Sequence, residues 1–251
     1  MNFSDRLQTA LCSAQSVCVL TGAGVSAESG VPTFRGSEGI WSKFRPEELA
    51  NFDNFIKNPD LVWEWYSYRK KVMKEVQPNP GHRALVRMEE LFPDFTLVTQ
   101  NVDNLHERAG SRNVLELHGN ITRSYCVDCG LTAGERAQEG FARAPRCESC
   151  GGLLRPDVVW FGELLPVVTF EKAMEAARRC DVFLTVGTSG VVYPAASIPL
   201  TAREAGAYTV EVNPEYTDLS PRMHETLIGT SGMILPVLVS IVKEKHGHRQ
   251  A

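Results

Sequence analysis

Short apolar runs alternate along the chain with stretches of helical period. Val17-Cys18-Val19-Leu20, Phe95-Thr96-Leu97-Val98-Thr99, Val114-Leu115-Glu116-Leu117, Val182-Phe183-Leu184-Thr185-Val186 and residues 207–212 each end at glycine or polar residues. Such runs predict buried strands. Between them, apolar positions recur at helical spacing. Leu7, Ala10, Leu11 and Ala14 predict a helix over 4–15. Asn58-Pro59 predicts a helix start, with Asn as cap and Pro in the first turn; Leu61, Val62, Trp65, Val72, Met73 and Val76 make its stripe. Further helices are predicted after Pro78-Asn79-Pro80-Gly81-His82 to about Phe92, over 169–180, over 194–205, and at the end, where Leu235, Leu238 and Val242 face one way. The tail from Lys243 to Ala251 is charged and is expected to fray. Strands alternating with helices predict an α/β fold with a parallel sheet covered on both faces. Residues 40–92 and 120–157 break the alternation and are read as insertions that build a smaller domain beside the sheet. From Gly36 to Asn58 the chain reads as irregular, with Trp41, Phe44, Phe52 and Phe55 as anchors.

Composition narrows the class. The chain has 251 residues, 43% hydrophobic and 22% charged, as in an ordinary globule. A net charge of −4 and a pI near 5.9, with no dominant basic stripe, argue against direct nucleic-acid binding. No charged n-region precedes an apolar h-region, and no apolar run is long enough to span a bilayer. A cytoplasmic location is expected.

The stretch with the most chemistry follows the first strand. Gly22, Gly24 and Ala27 fit G-x-G-x-x-A, the turn that brings backbone to a pyrophosphate at a helix N-terminus. Gly30-Val31-Pro32-Thr33-Phe34-Arg35 then puts an aromatic and a guanidinium past the loop, and the usual acidic ribose ligand about twenty residues on is missing. A dinucleotide site of an unusual kind is therefore expected. The strand 95–99 ends in Gln100-Asn101-Val102-Asp103-Asn104-Leu105-His106, a polar cluster where ligands of open α/β sheets bind. His118-Gly119 closes the next strand. Gly187-Thr188-Ser189-Gly190 is a second phosphate or ribose loop.

The seven cysteines divide into two groups. Cys12, Cys18 and Cys180 lie in apolar surroundings and read as small core residues. Cys126-x-x-Cys129 and Cys147-x-x-Cys150, with seventeen residues between the pairs, have zinc spacing. Four thiolates close a tetrahedron and leave no position for substrate, so the metal is expected to be structural. Redox pairs would instead sit at a strand-to-helix turn.

Taken together, Gly22-Ala23-Gly24-Val25-Ser26, Gly30 to Arg35, Thr99 to His106, His118-Gly119, the four cysteines, Phe161-Gly162-Glu163 and Gly187-Thr188-Ser189 resemble the sirtuin family of NAD-dependent protein lysine deacylases, in the family's order and over nearly the whole chain. Gly190 stands where many members carry a larger residue, and Ser231 where many carry alanine. The resemblance implies a Rossmann-type NAD-binding domain (1–39, 93–119 and 158–251). It also implies a small domain made of a helical module (40–92) and a zinc module (120–157). NAD and an acyl-lysine peptide would meet between them.

The resemblance further implies roles. Gly22, Ala23, Gly24, Ser26 and Ala27 would cradle phosphates, with Gly187, Thr188 and Ser189 opposite. Thr33, Phe34, Arg35 and Trp41 would cover ribose and phosphate. Gln100, Asn101 and Asp103 would hold the ribose and nicotinamide amide. Asn213, Pro214, Glu215 and Ser231 would take the adenosine end. His118 would be the general base, with Asn101 and Asp103 as further catalytic residues. Val159, Phe161, Gly162, Glu163, Val191 and Val192 would pair with the substrate backbone.

Tyr66 and Arg69 lie three residues apart on the 59–76 helix and so share a face. A phenol beside a guanidinium suits a carboxylate. Tyr-x-x-Arg with a small residue at Ala50 resembles the class III sirtuins, which prefer succinyl- and malonyl-lysine. The expected partners are acylated-lysine proteins, and the expected activity is desuccinylation with weaker deacetylation. The alternatives are a plain deacetylase and a mono-ADP-ribosyltransferase.

Overall fold

The computed structural model describes residues 3–33, 45, 49–133 and 143–247. Phe34, Arg35, Trp41 and Phe44, named above, lie outside the described residues.

The predicted strands pair into one six-stranded sheet. β1 (Ser16–Thr21) lies between β2 (Asp94–Thr99) and the later strand Val182–Val186; β3 (Val114–Glu116) flanks β2. The antiparallel pair β4 (Gly119–Cys126) and β5 (Leu154–Val158) forms a separate ribbon. The sheet resumes with β6 (Val182–Val186), β7 (Tyr208–Asn213) and β8 (Glu225–Ile228), giving the order β3-β2-β1-β6-β7-β8, all parallel. The chain leaves β1 toward one edge and returns through β6 toward the other. A crevice therefore opens at the carboxyl ends of β1 and β6, the place where doubly wound sheets bind ligands.

Strand alternation sends neighbouring residues to opposite faces. Val17 and Val19 enter a core with helix α1 (Asp5–Ser13) and the last helix (Ser231–Gly247); Cys18 and Leu20 enter a second core with Ala173, Ala177 and Ile198. Cys12, Cys18 and Cys180 are all buried, as their apolar surroundings predict.

Three expectations change. First, Phe52–Lys57 is a helix within the stretch read as irregular. Asn51 caps it by accepting from the Asn54 N–H at 3.1 Å, and Asp53 and Lys57 suit its dipole. Asn58 closes this helix, and its side chain bonds Asn54 at 3.0 Å instead of capping the helix Pro59–Glu75 that follows. Second, the helix Pro80–Leu91, read from sequence with the 40–92 module, packs into the first core. Its buried Ala84, Leu85 and Met88 share the first core with Leu235 and Leu238 of the last helix. Pro80–Leu91 leads directly into β2. Third, the last helix continues through Lys243 to Gly247.

A third core unites the helix Pro59–Glu75 with the ribbon. Val62, Trp63, Tyr66 and Met73 pack with Ile121, Cys126, Leu154 and Trp160. The Trp63 indole donates to the Leu154 carbonyl at 2.7 Å. The stripe is turned relative to the sequence reading: Leu61 is 50% exposed, whereas Trp63 is fully buried.

Candidate active site

One cavity of about 760 Å³ lies where the sheet's carboxyl ends meet the small lobe. Its floor is made by two loops, Gly22–Ala27 after β1 and Gly187–Ser189 after β6. The Gly24 N–H donates to the Gly187 carbonyl at 2.8 Å. A Cβ on Gly24 would come within 2.8 Å of Gly187 Cα, and one on Gly187, whose φ is +62°, within 2.5 Å of Val25 N. The glycines are thus required by contact between two backbones, which is a more local reason than approach to a pyrophosphate.

The polar cluster after β2 closes the back of the cavity. Gln100 and Asn101 line it. Ser26 and Asp103 do not: both are buried behind the wall, where the Ser26 hydroxyl donates to Asp103 at 2.7 Å and accepts from the Asn101 amide at 3.2 Å. They hold Asn101 in place instead of facing the cavity. Gln100 donates to the Thr188 hydroxyl at 3.0 Å, joining the cluster to the second loop. Asn104 adopts a left-handed φ of 62°, and its side-chain oxygen accepts from Asn120 at 3.0 Å.

His118 lines the same cavity. Its Nδ1 lies 2.9 Å from the Gln100 carbonyl oxygen. A carbonyl only accepts, so Nδ1 carries the hydrogen and Nε2 keeps a free lone pair. Burial pushes the imidazole pKa below its ordinary 6.5, against a smaller upward pull from that carbonyl. The ring is therefore unprotonated near neutrality, with its Nε2 lone pair available to accept a proton.

Thr33, Asn213, Pro214 and Glu215 also line the cavity, as do Val159, Phe161, Gly162, Glu163 and Val192. Ser231 and Val191 do not. Ser231 donates to Glu28 at 3.1 Å, and the same carboxylate accepts from the Gly232 N–H at 2.7 Å, which caps the last helix. Thr230 takes the place in the wall.

Ala50, Tyr66 and Arg69 line one end. Arg69 is only 7% exposed, its guanidinium carbon 4.8 Å from the Trp65 ring centroid. Burial lowers its pKa, while Tyr66 and Asp103 pull it back up. Tyr193, in the loop 190–193 expected to pair with the substrate, lines the cavity too; Trp160 and Tyr216 also line it and were not singled out from sequence. Trp160 lies between Val159 and Phe161, both named from sequence, yet nothing local shows which residues of that run face inward.

The four cysteine sulfurs lie within 4.8 Å of one another, with Cys126–Cys150 at 3.4 Å and Cys129–Cys147 at 3.7 Å. Four thiolates at about 2.3 Å from one zinc stand about 3.8 Å apart, so the set fits a single structural ion. The two Cys-x-x-Cys turns share one hydrogen-bond pattern, Gly130 N–H to Cys126 and Gly151 N–H to Cys147. None of the four lines the cavity.

Outside the cavity lining, the His82 and His106 rings lie against each other, tilted by 55°, with centroids 4.9 Å apart. His106 lies 2.9 Å from the Thr21 hydroxyl, and His82 Nδ1 accepts from the Asn79 N–H at 3.3 Å. Burial lowers both pKa values, that of His106 to about 4. An unfolded chain binds these protons near pH 6.5 and the folded one does not. Their contribution is therefore intact above pH 6.5 and is lost as pH falls from there toward 4. His106 alone accounts for on the order of 3 kcal/mol across that window. Urea titrations at pH 7.5 and pH 5 should show clearly lower stability at pH 5; equal midpoints would mean the rings are not held neutral.

These features coincide with matches to known proteins. Residues 22–194 match the Sir2 family. An NAD-dependent protein deacylase of Aquifex aeolicus (strain VF5) is 52% identical over 236 residues, covering 93% of this chain and 98% of its own length. A solved Sir2 homolog–NAD complex superposes with a TM-score of 0.91 at 44% identity, covering 97% of this chain and 95% of the other. A Sir2–p53 peptide–NAD+ structure gives 0.84 at 31% identity, with 98% and 99% covered. The fold and site define a doubly wound nucleotide-binding protein with a zinc ribbon. The chain belongs to the Sir2 family. Among the described residues no helix is long and apolar enough to cross a membrane.

Proposed function

We propose that this chain is an NAD-dependent protein lysine deacylase that prefers acidic acyl groups, succinyl and malonyl, and retains weaker deacetylase activity. NAD-dependent deacylation follows from the family and its relatives. The acidic-acyl preference is carried by one observation: Tyr66 and Arg69 both line the cavity that also holds His118 and the two glycine loops. A surface arginine would reach solvent; this one is buried against Trp65 inside the cavity.

NAD fits the glycine floor and supplies an activated ribose carbon with nicotinamide as leaving group. In this reading, Gly22, Ala23, Gly24 and Ala27 border the phosphates from one side, and Gly187, Thr188 and Ser189 from the other; the Gly22, Gly24 and Gly187 N–H groups are already bonded within the fold, so these glycines give close approach. Asn213, Pro214 and Glu215 border the adenosine end. Asn101, braced by Ser26 and Asp103, orients the ribose and excludes water. His118 Nε2 accepts the proton of a ribose hydroxyl, which then attacks the trapped acyl carbon. The loops 159–163 and 190–193 pair with an extended substrate backbone, a sequence-tolerant mode suited to many acylated proteins. Phe34, Arg35 and Trp41 join the cofactor side by resemblance. The acidic charge balance leaves direct nucleic-acid binding out of this reading, and four reduced thiolates suit the cytoplasm.

Arg69→Met tests the preference. A charge-assisted hydrogen bond contributes about 1.5–3 kcal/mol, so desuccinylation should fall roughly ten- to a hundredfold. Deacetylation should fall far less. Equal losses with acetyl- and succinyl-lysine peptides would make Arg69 structural and the protein a plain deacetylase.

A further inference from the structure

The acyl end of the cavity is backed by a buried chain of polar contacts. The Trp160 indole N–H lies 2.8 Å from the Tyr66 hydroxyl oxygen. Indole only donates, so the phenol oxygen is the acceptor here. A phenol proton lies in the ring plane in one of two orientations. An incoming N–H on one side leaves the other for the proton. Tyr66 is 1% exposed and lines the cavity, and the in-plane position away from the indole is the one left for that proton. Burial raises the phenol pKa, which keeps the proton in place at neutral pH.

Trp160 is itself held. Its backbone N–H donates to Glu163 at 2.8 Å. Arg155 binds Glu163 through both terminal nitrogens, donates to the Val158 carbonyl at 2.9 Å, and lays its guanidinium carbon 3.6 Å from the Trp160 ring centroid. The Phe55 ring also packs against Trp160, tilted by 52° with centroids 5.2 Å apart. The Arg155 side chain is 4% exposed. Glu163 is partly exposed, and ion pairs of this kind gain little net stability over apolar replacements, so stability alone does not account for it.

We infer that Trp160, fixed by the Arg155–Glu163 pair, is a positioning residue that aims the Tyr66 hydroxyl proton at the acyl group. This rests on the acidic-acyl reading above and deepens it. Arg69 supplies the charge for a terminal carboxylate; Trp160 turns Tyr66 into a donor toward it. Nothing in Tyr-x-x-Arg alone selects that proton direction.

A double-mutant cycle on the full enzyme tests this, read as the ratio of kcat/KM for succinyl- over acetyl-lysine peptide. Trp160→Phe removes the N–H and keeps an aromatic ring. The ratio should fall about three- to tenfold, mainly through the succinyl KM, as expected for a misdirected hydrogen bond to a charged group. Tyr66→Phe should lower it at least as much. In the Tyr66→Phe background, Trp160→Phe should add nothing, because both changes remove one interaction. Independent effects that multiply would overturn the inference. Glu163→Gln leaves the aromatic core intact and guards against a folding defect: it should give a smaller drop that also vanishes with Tyr66→Phe, and persistence of the drop would count against the inference. If the unmutated enzyme shows no succinyl preference, the acidic-acyl reading fails first, visibly before any variant is made, and the inference falls with it.

Discussion

His118→Ala is expected to reduce turnover by about two to four powers of ten, the range associated with loss of a general base. NAD binding should survive, because the cavity floor is built from the glycine loops and not from the imidazole. The chemistry follows from one contact. Gln100 O fixes the Nδ1 proton, so Nε2 is the only lone pair the ring offers. Desolvation keeps that lone pair free further into acid than for an exposed imidazole. The acid limb of the kcat/KM profile should accordingly have its midpoint below 6.5 and should disappear in the variant. Calorimetric binding of NAD alongside single-turnover kinetics separates the two effects. Near-normal turnover in His118→Ala would remove the assignment.

Cys126→Ser should act on folding before chemistry. Cys126 ends β4 and is fully buried, in the same core as Trp63, Tyr66 and Trp160. The ribbon has only two strands, and such a pair is marginal by itself. A structural zinc contributes on the order of 10 kcal/mol in isolated zinc modules, so a three-ligand site should leave the ribbon unfolded. The damage should spread to the helix Pro59–Glu75, which lies against the ribbon. Metal analysis, soluble yield and thermal unfolding measure this. A well-folded, metal-free, fully active Cys126→Ser protein would show that the module is dispensable.

The strands were legible because each is a short apolar run ended by polar residues, and their parallel order followed from the helices between them. The cysteine spacing marked the ribbon for the same reason: few other uses need that pattern. Where Pro80–Leu91 packs was not legible, because periodicity reports which face of a helix is apolar, not which of two cores receives it. Phe52–Lys57 was hidden by its single turn and a half, although Asn51 was a usable capping signal. Ser26 and Asp103 carry the residue types of a ligand site, yet they satisfy each other behind the wall. Such pairing joins residues 77 apart in sequence and has no local trace. Trp160 was invisible as a partner of Tyr66 for the same reason, at a separation of 94.

The central claim is NAD-dependent deacylation with a preference set by Arg69 and Tyr66. One incubation tests it most directly: the protein with NAD and matched acetyl-, malonyl- and succinyl-lysine peptides, read by mass spectrometry. Free lysine peptide, nicotinamide and acyl-ADP-ribose should form together, fastest from the succinyl and malonyl peptides. Acetyl-ADP-ribose alone would contradict the acidic-acyl preference, and ADP-ribosylated protein without acyl-ADP-ribose would contradict deacylation itself.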